Sequence, residues 1–164
     1  MMHLARLELT NFKNYEEVSL EFSPGFNCFV GNNGEGKTNL LDAIYYLSYT
    51  RSYFGNIDAQ NIRHGEDFFA IHGTFARNGN APDVVSCIQK ASQKKQFRLN
   101  KKEYERLSDH IGLFPCVMIS PYDRDLINEG SDIRRKFIDM VISQFDKVYL
   151  GSLIRYSRLL EQRN

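Results

Sequence analysis

"VGNNGEGKTNL", residues 30–40, decides the reading of this chain. Small and polar residues separate an apolar run from a Lys-Thr pair, and Asn33-Gly34 taken alone is also a hairpin-turn signal. Gly31, Gly36, Lys37 and Thr38 satisfy the pattern G-x-x-x-x-G-K-[ST]. A chance match at average composition occurs about once in one to two hundred chains of this length. The flanks sharpen it. "FNCFVG" before it reads as a short strand, and Leu40, Leu41, Ile44 and Leu47 after it recur at helical spacing, giving a helix from Lys37 to about Ser48. Each residue type then has a chemical reason. Glycines let successive N–H groups face an anion without side chains in the way. The helix start adds free N–H groups and its positive dipole end. Lys37 supplies a point charge for the β- and γ-phosphates, and Thr38 a hydroxyl for Mg²⁺. The competing reading, an ordinary strand-to-helix turn, explains none of these identities together. Asn32, Asn33, Gly34, Gly36, Lys37, Thr38 and Asn39 are therefore the expected phosphate cradle, with ATP and Mg²⁺ as the ligands.

The remainder of the chain is arranged around that segment. Residues 3–9 alternate as a strand, and "EEVSLEF" alternates again with Val18, Leu20 and Phe22 on one face. "DFFAIHGTFA" and "DVVSCIQK" are strand-like and joined through Asn78-Gly79, a hairpin turn. "KKQFRLNKKEY" reads as a basic strand turning at Asn100, and "LFPCVMISP" as a further buried strand. Beyond it only helices are expected. One, capped by Ser131, carries a stripe of Ile133, Phe137, Met140, Val141 and Phe145; the other carries Tyr149, Leu153, Tyr156 and Leu160. "RLLEQRN" has no glycine stop signal, so the last helix reads as one that continues in a longer chain.

Bulk properties narrow the function. At 164 residues with 42% hydrophobic composition, the chain is long enough for a core. A net charge of +1 leaves no global basic field, so a nucleic acid must be held by a local patch. Lys94, Lys95, Arg98, Lys101 and Lys102, with Lys90 nearby, form such a run; the same lysines are equally the mark of a solvated edge strand. Arg134, Arg135 and Lys136 open a helix, where cations oppose the dipole and call for an anion or a carboxylate. Cys28, Cys87 and Cys116 lack paired spacing and read as free thiols, Cys28 and Cys116 buried in apolar runs. The four histidines share no metal-ligand spacing. There is no apolar leader and no membrane-length apolar run, which implies a soluble, cytoplasmic protein.

Other residues near the cradle are read more openly. Lys13 is a solvated charge or a neighbour of the nucleotide, and Asn14 is a turn residue. Asp123, with Asp125, either caps a short helix or approaches Mg²⁺ or the attacking water. A catalytic base is harder to find. An apolar run ending in Asp or Asp-Glu would complete the hydrolytic site, but "VMISPYD" is interrupted by Pro121 and Tyr122 and "KFIDMVI" is helical in period. Hydrolysis by this stretch alone is expected near background, and no catalytic residue beyond Asp123 is a candidate.

The segment "LARLELTNFKNYEEVSLEFSPGFNCFVGNNGEGKTNLLDAIYYLS" resembles the N-terminal part of the RecF family of ABC-type ATPases and, more loosely, Rad50 and SMC heads. "RLNKKEYERLSDHIGLFPCVMISPYDRDLINEGSDIRRKFIDMVIS" resembles a stretch of that family's sequence not shared with SMC proteins. Lys101 in place of a glycine, Tyr122 in place of an acid and Lys136 in place of an arginine depart from the family pattern. The resemblance implies an α/β P-loop fold. Residues 1–121 would be an ATP-binding lobe I, a mixed sheet around the P-loop helix, and 122–164 the start of a helical lobe II. It implies Lys13 and Asn14 lining the nucleotide, and the Asp123 region linking the γ-phosphate to the helical lobe. It also implies a weak ATPase that dimerises around ATP, binds gapped, single- and double-stranded DNA, and helps load a recombinase with mediator proteins in DNA repair, replication, recombination and the SOS response to damage. An SMC-type head, or a DNA-binding module with a vestigial P-loop, are the alternatives.

Overall fold

The computed structural model describes residues 2–55, 57–77, 79–128 and 130–163. Six strands form one sheet in the order β2-β1-β3-β4-β5-β6: β1 (Met2–Phe12), β2 (Tyr15–Glu21), β3 (Phe68–Arg77), β4 (Asn80–Lys90), β5 (Gln96–Leu99) and β6 (Lys102–Glu103). Every described pairing is antiparallel, so the mixed character expected of the sheet is not expressed in these strands. The alternation in β1 that suggested a strand puts Leu7, Leu9 and Phe12 into the core. β3 and β4 bring Phe69, Ile71, Phe75, Val85 and Cys87 to the same cluster.

α1 (Lys37–Tyr49) crosses that apolar face. Its buried side is Leu40, Ala43, Tyr46 and Leu47, whereas Leu41, expected in the stripe, is 43% exposed. Gly73 in β3 makes the approach possible, because a Cβ there would collide with Leu47 Cδ1. The helix ends without glycine. Thr50 takes the left-handed conformation instead (φ 59°), and its N–H bonds the Tyr46 carbonyl. A β-branched residue strains there by about 1–2 kcal/mol. The Lys95 ammonium, 2.6 Å from the Thr50 carbonyl oxygen, offsets this by capping the negative end of the helix.

Two expected strands do not form. Residues 26–31 and 113–121 carry no described ladder, and Phe26, Val30, Val117 and Ile119 stand in solvent. Apolar composition alone suggested burial, yet a strand needs a neighbour to accept its N–H groups, and none of the described strands pairs with either segment. Cys28 is accordingly exposed rather than buried and Cys116 only half-buried, whereas burial of Cys87 pushes its thiol up to about 12. The β5–β6 turn does form. Lys101, in place of glycine, sits at φ 72° beside Asn100 at φ 50°. Asn78 of the β3–β4 hairpin lies outside the described residues.

The helical part is α2 (Asp125–Asn128), α3 (Ser131–Phe145) and α4 (Lys147–Arg163). Gly130, not Ser131, is the N-cap of α3. Of the expected stripe, Met140 docks α3 but Phe145 is 78% exposed, and Ser143 and Gln144 complete the buried side. The Gln144 side chain accepts from Cys116 N–H at 3.0 Å, and its own carbonyl lies so close to Gly112 (φ 85°) that a Cβ there would strike it.

His110 sits at this junction, fully buried against Phe97, Tyr104 and Phe114. Its Nε2 lies 2.6 Å from the Leu47 carbonyl oxygen and its Nδ1 3.1 Å from the Tyr104 hydroxyl. A carbonyl only accepts, so Nε2 carries the proton and Nδ1 accepts from Tyr104. Burial lowers the imidazole pKa to about 4, with the Leu47 carbonyl opposing and the Lys147 charge assisting. The unfolded chain therefore takes up a proton below about pH 6.5 that the folded chain refuses, and the stability present above that pH is lost as it falls toward 4. Urea unfolding between pH 7 and 4 should show a loss of about 3 kcal/mol from this group. His110→Gln, which does not titrate, should flatten that part of the profile.

Candidate functional site

The glycine loop enters α1 through two residues with positive φ, Gly34 (87°) and Gly36 (101°). Gly36 is the N-cap and offers no side-chain acceptor to the helix. The first helical N–H to find a carbonyl is that of Leu40, bonded to Gly36 O at 2.9 Å. The N–H groups of Lys37, Thr38 and Asn39 thus have no intrahelical acceptor and open toward the loop. No acid occupies the first turn. Donors without an intrahelical acceptor, a positive dipole end and the Lys37 ammonium come together here, an arrangement suited to an anion. Thr38 is exposed in the same turn, as a hydroxyl that meets Mg²⁺ would have to be. The donor set fits a nucleotide phosphate with its magnesium.

The β1–β2 turn clamps the loop from the side. Asn14 donates to the Glu35 carbonyl at 3.2 Å and accepts from the Asn39 amide at 2.7 Å; the Tyr15 hydroxyl donates to the Gly36 carbonyl at 3.2 Å. Gly36 is required here, since a Cβ would lie 2.5 Å from Asn14 Nδ2. The tertiary fold therefore brings Asn14 to the cradle. Lys13 goes elsewhere. Its ammonium is 2.5 Å from Asp42 Oδ2 and lies over the rings of Phe12 and Phe54, with the side chain 17% exposed. Asp42, fully buried on α1, also accepts from Ser52 Oγ and Tyr53 N–H, both at 2.7 Å. Lys13 is thus not a solvated charge but part of a largely buried polar knot with Asp42, Ser52 and Tyr53.

Tyr53 continues from that knot to Asp123. Its hydroxyl donates to Asp123 Oδ1 at 2.8 Å, and Asp123 Oδ2 accepts the Ser120 N–H. One carboxylate oxygen thereby holds the start of the 3-10 turn at Pro121–Arg124, and the other is taken by the Tyr53 hydroxyl. A cleft of about 460 Å³ beside Thr38 is lined by Leu41, Phe54, Ile119, Ser120 and Arg124, so the Asp123 turn does border the cradle. The Asp125 side chain lies outside the described residues.

The basic run does not stay together as one surface. Lys95 is withdrawn into the fold: its ammonium is 2.6 Å from Asp58 and 3.1 Å from the Tyr46 hydroxyl, which itself donates to Asp58. Desolvation, with Cys87 and Asp58 adding, pushes the Tyr46 phenol far above its ordinary value. Lys95 is corrected from a DNA contact to a structural ion pair. Arg98 is 3.5 Å from Glu103 across the β5–β6 turn, and Lys94, Lys101 and Lys102 remain exposed. On α3, Arg135 finds its carboxylate in Asp132. Among the described residues no cluster of metal-ligating side chains occurs, and no helix is long and apolar enough to cross a membrane.

Sequence reasoning missed Asp42 and Tyr53. The available signal was Asp42 standing alone inside an otherwise apolar and aromatic helix, four residues after Thr38.

Known proteins share this arrangement. Residues 3–122 match the family model for the RecF/RecN/SMC N-terminal domain. The chain is 58% identical over 163 residues to the DNA replication and repair protein RecF of Phocaeicola vulgatus, covering 99% of this chain and 44% of that protein. It superposes with a TM-score of 0.93 and 32% identity on the recombination mediator protein RecF of the RecFOR pathway, solved as RecF-ATPrS, covering 99% of this chain and 44% of that one. An SMC ATPase structure superposes at 0.68 over 85% of this chain and 99% of its own, at 22% identity, which is a likeness of fold. The chain spans less than half the length of these RecF relatives. With the glycine cradle, the sheet beneath it and the match over residues 3–122, the chain belongs to the RecF/RecN/SMC N-terminal domain family.

Proposed function

We propose that the chain is the nucleotide-binding lobe of a RecF-type DNA-repair ATPase. The observation that carries this is the uncapped start of α1, whose free N–H groups, Lys37 and Thr38 open onto the glycine loop. The cradle, Asn32 to Asn39, holds the triphosphate. The Thr38 hydroxyl meets Mg²⁺, which neutralises charge on the phosphates. Asn14 fixes the loop and Asn39 in register, and Lys13 supports them from below through Asp42. The high identity to RecF and the ATP-bound RecF structures support the same reading.

In the longer protein, two such lobes close around ATP and the dimer grips gapped DNA. It works in the cytoplasm with mediator proteins that load a recombinase. Residues 122–164 begin the helical lobe, which Asp123 and Tyr53 couple to the nucleotide side. Turnover is slow and needs a base and an opposing loop from outside this stretch. The exposed lysines Lys94, Lys101 and Lys102 supply non-specific phosphate contacts.

Fluorescence anisotropy of gapped DNA with the longer protein tests this. ATP and magnesium should tighten binding about tenfold or more, since a dimer doubles the phosphate contacts. Binding that responds to salt but not to ATP would favour a DNA module with a vestigial cradle.

A further inference from the structure

The Glu35 side chain folds back into the loop it belongs to. Its Oε2 accepts the Asn32 main-chain N–H at 2.9 Å, and its Oε1 accepts from the Asn32 side-chain amide at 2.9 Å. Gly31 provides the space, because a Cβ at Gly31 would collide with Oε2. Lys37 Nζ meanwhile donates to the carbonyls of Gly31 and Asn32 at 2.7 and 2.6 Å. The Gly31 carbonyl and the Asn32 N–H are two ends of one peptide unit. That unit is held at its oxygen by the ammonium and at its nitrogen by the carboxylate.

We propose that Glu35 is an internal stand-in for phosphate, an autoinhibitory carboxylate that occupies the Asn32 amide of the glycine loop and must swing out before a nucleotide can seat. The proposal rests on the nucleotide reading of the cradle. A carboxylate is chemically suited to the role: it is an acceptor-only anion, drawn to a main-chain N–H of the glycine loop, here that of Asn32, as a phosphate oxygen is. It cannot share the site, because a triphosphate brings several negative charges within a few ångströms of it. Entry therefore breaks two charge-assisted hydrogen bonds and frees Asn32 to face the ligand. Lys37 is poised for the same exchange, since phosphate oxygens replace the loop carbonyls as its acceptors. The loop is thus closed on itself by groups of opposite charge, and nucleotide affinity is held below what the donors alone would give.

The test is isothermal titration of the wild-type protein, Glu35→Ala and Glu35→Gln with ATP-Mg and with inorganic pyrophosphate, alongside thermal melts without ligand. Both variants should bind both ligands about tenfold more tightly, the loss of charge mattering more than the loss of length. The ligand-free melting temperature of Glu35→Ala should be unchanged or lower. Equal or weaker binding by both variants, with wild-type binding intact, would overturn the stand-in while leaving the cradle reading in place. Absence of binding by wild type and variants alike would instead remove the cradle reading, and this proposal with it.

Discussion

Lys37→Ala is expected to weaken ATP-Mg binding by at least about 100-fold. The ammonium is the only cationic group of the loop itself, and it is already held inside it, on the carbonyls of Gly31 and Asn32. When a triphosphate arrives, those N–H vectors turn to phosphate oxygens. Hydrogen bonds to a charged acceptor are worth about 1.5–3 kcal/mol each, so losing two corresponds to a factor of about 100 or more. Lys37→Arg should recover only part of this, because a planar fork does not reproduce a compact charge. Lys37 lies at the surface end of α1 and contributes no core contact, so the melting temperature should stay within a few degrees of wild type. Calorimetric titration with a slowly hydrolysed ATP analogue reads the effect. Unchanged affinity in a folded variant would contradict the cradle.

Asp42→Ala should cost about 3–5 kcal/mol of stability, a large fraction of what a domain of this size has. Asp42 is fully buried and accepts from Lys13, Ser52 and the Tyr53 N–H. Without it, the Lys13 ammonium remains largely enclosed by Phe12 and Phe54 with no counter-charge, and a main-chain donor loses its acceptor. Lys13→Met with Asp42→Leu should recover much of the loss, because apolar groups of similar volume need no partners. Urea unfolding of Lys13→Met, Asp42→Leu and the double variant forms a cycle. Additive losses would mean that the two charges do not act as a pair. Since the pair sits beneath Asn14 and the cradle, both single variants should also weaken nucleotide binding, by less than Lys37→Ala does.

Much of this was legible in residue order. A phosphate loop is a local device: its glycines, its lysine and the helix that follows act within about ten residues, so spacing alone specifies it. The strands β1 to β5 and helices α1, α3 and α4 were legible for a similar reason, because amphipathic period is written along each element. The segments 26–31 and 113–121 were misread for the complementary reason. A strand exists only with its neighbour, and apolar composition does not say whether one is present. Lys95 was misread likewise. Among six basic residues nothing in the sequence separates the one that finds a buried carboxylate from those left in solvent.

The sequence by itself determined that this chain carries a G-x-x-x-x-G-K-[ST] loop at the start of an amphipathic helix, in a largely strand-built domain followed by helices. Only the tertiary structure decided what surrounds that loop: Asn14 at its flank, Lys13 turned under it onto Asp42, Asp123 tied to Tyr53, and Glu35 lodged within it. The partners across these contacts are separated by as many as 70 residues, as in Tyr53 to Asp123, or by as few as three, as in Asn32 to Glu35. In both cases the outcome depended on how donors and acceptors balanced once water had been excluded or a backbone bend had been fixed, and neither condition is written in the order of residues.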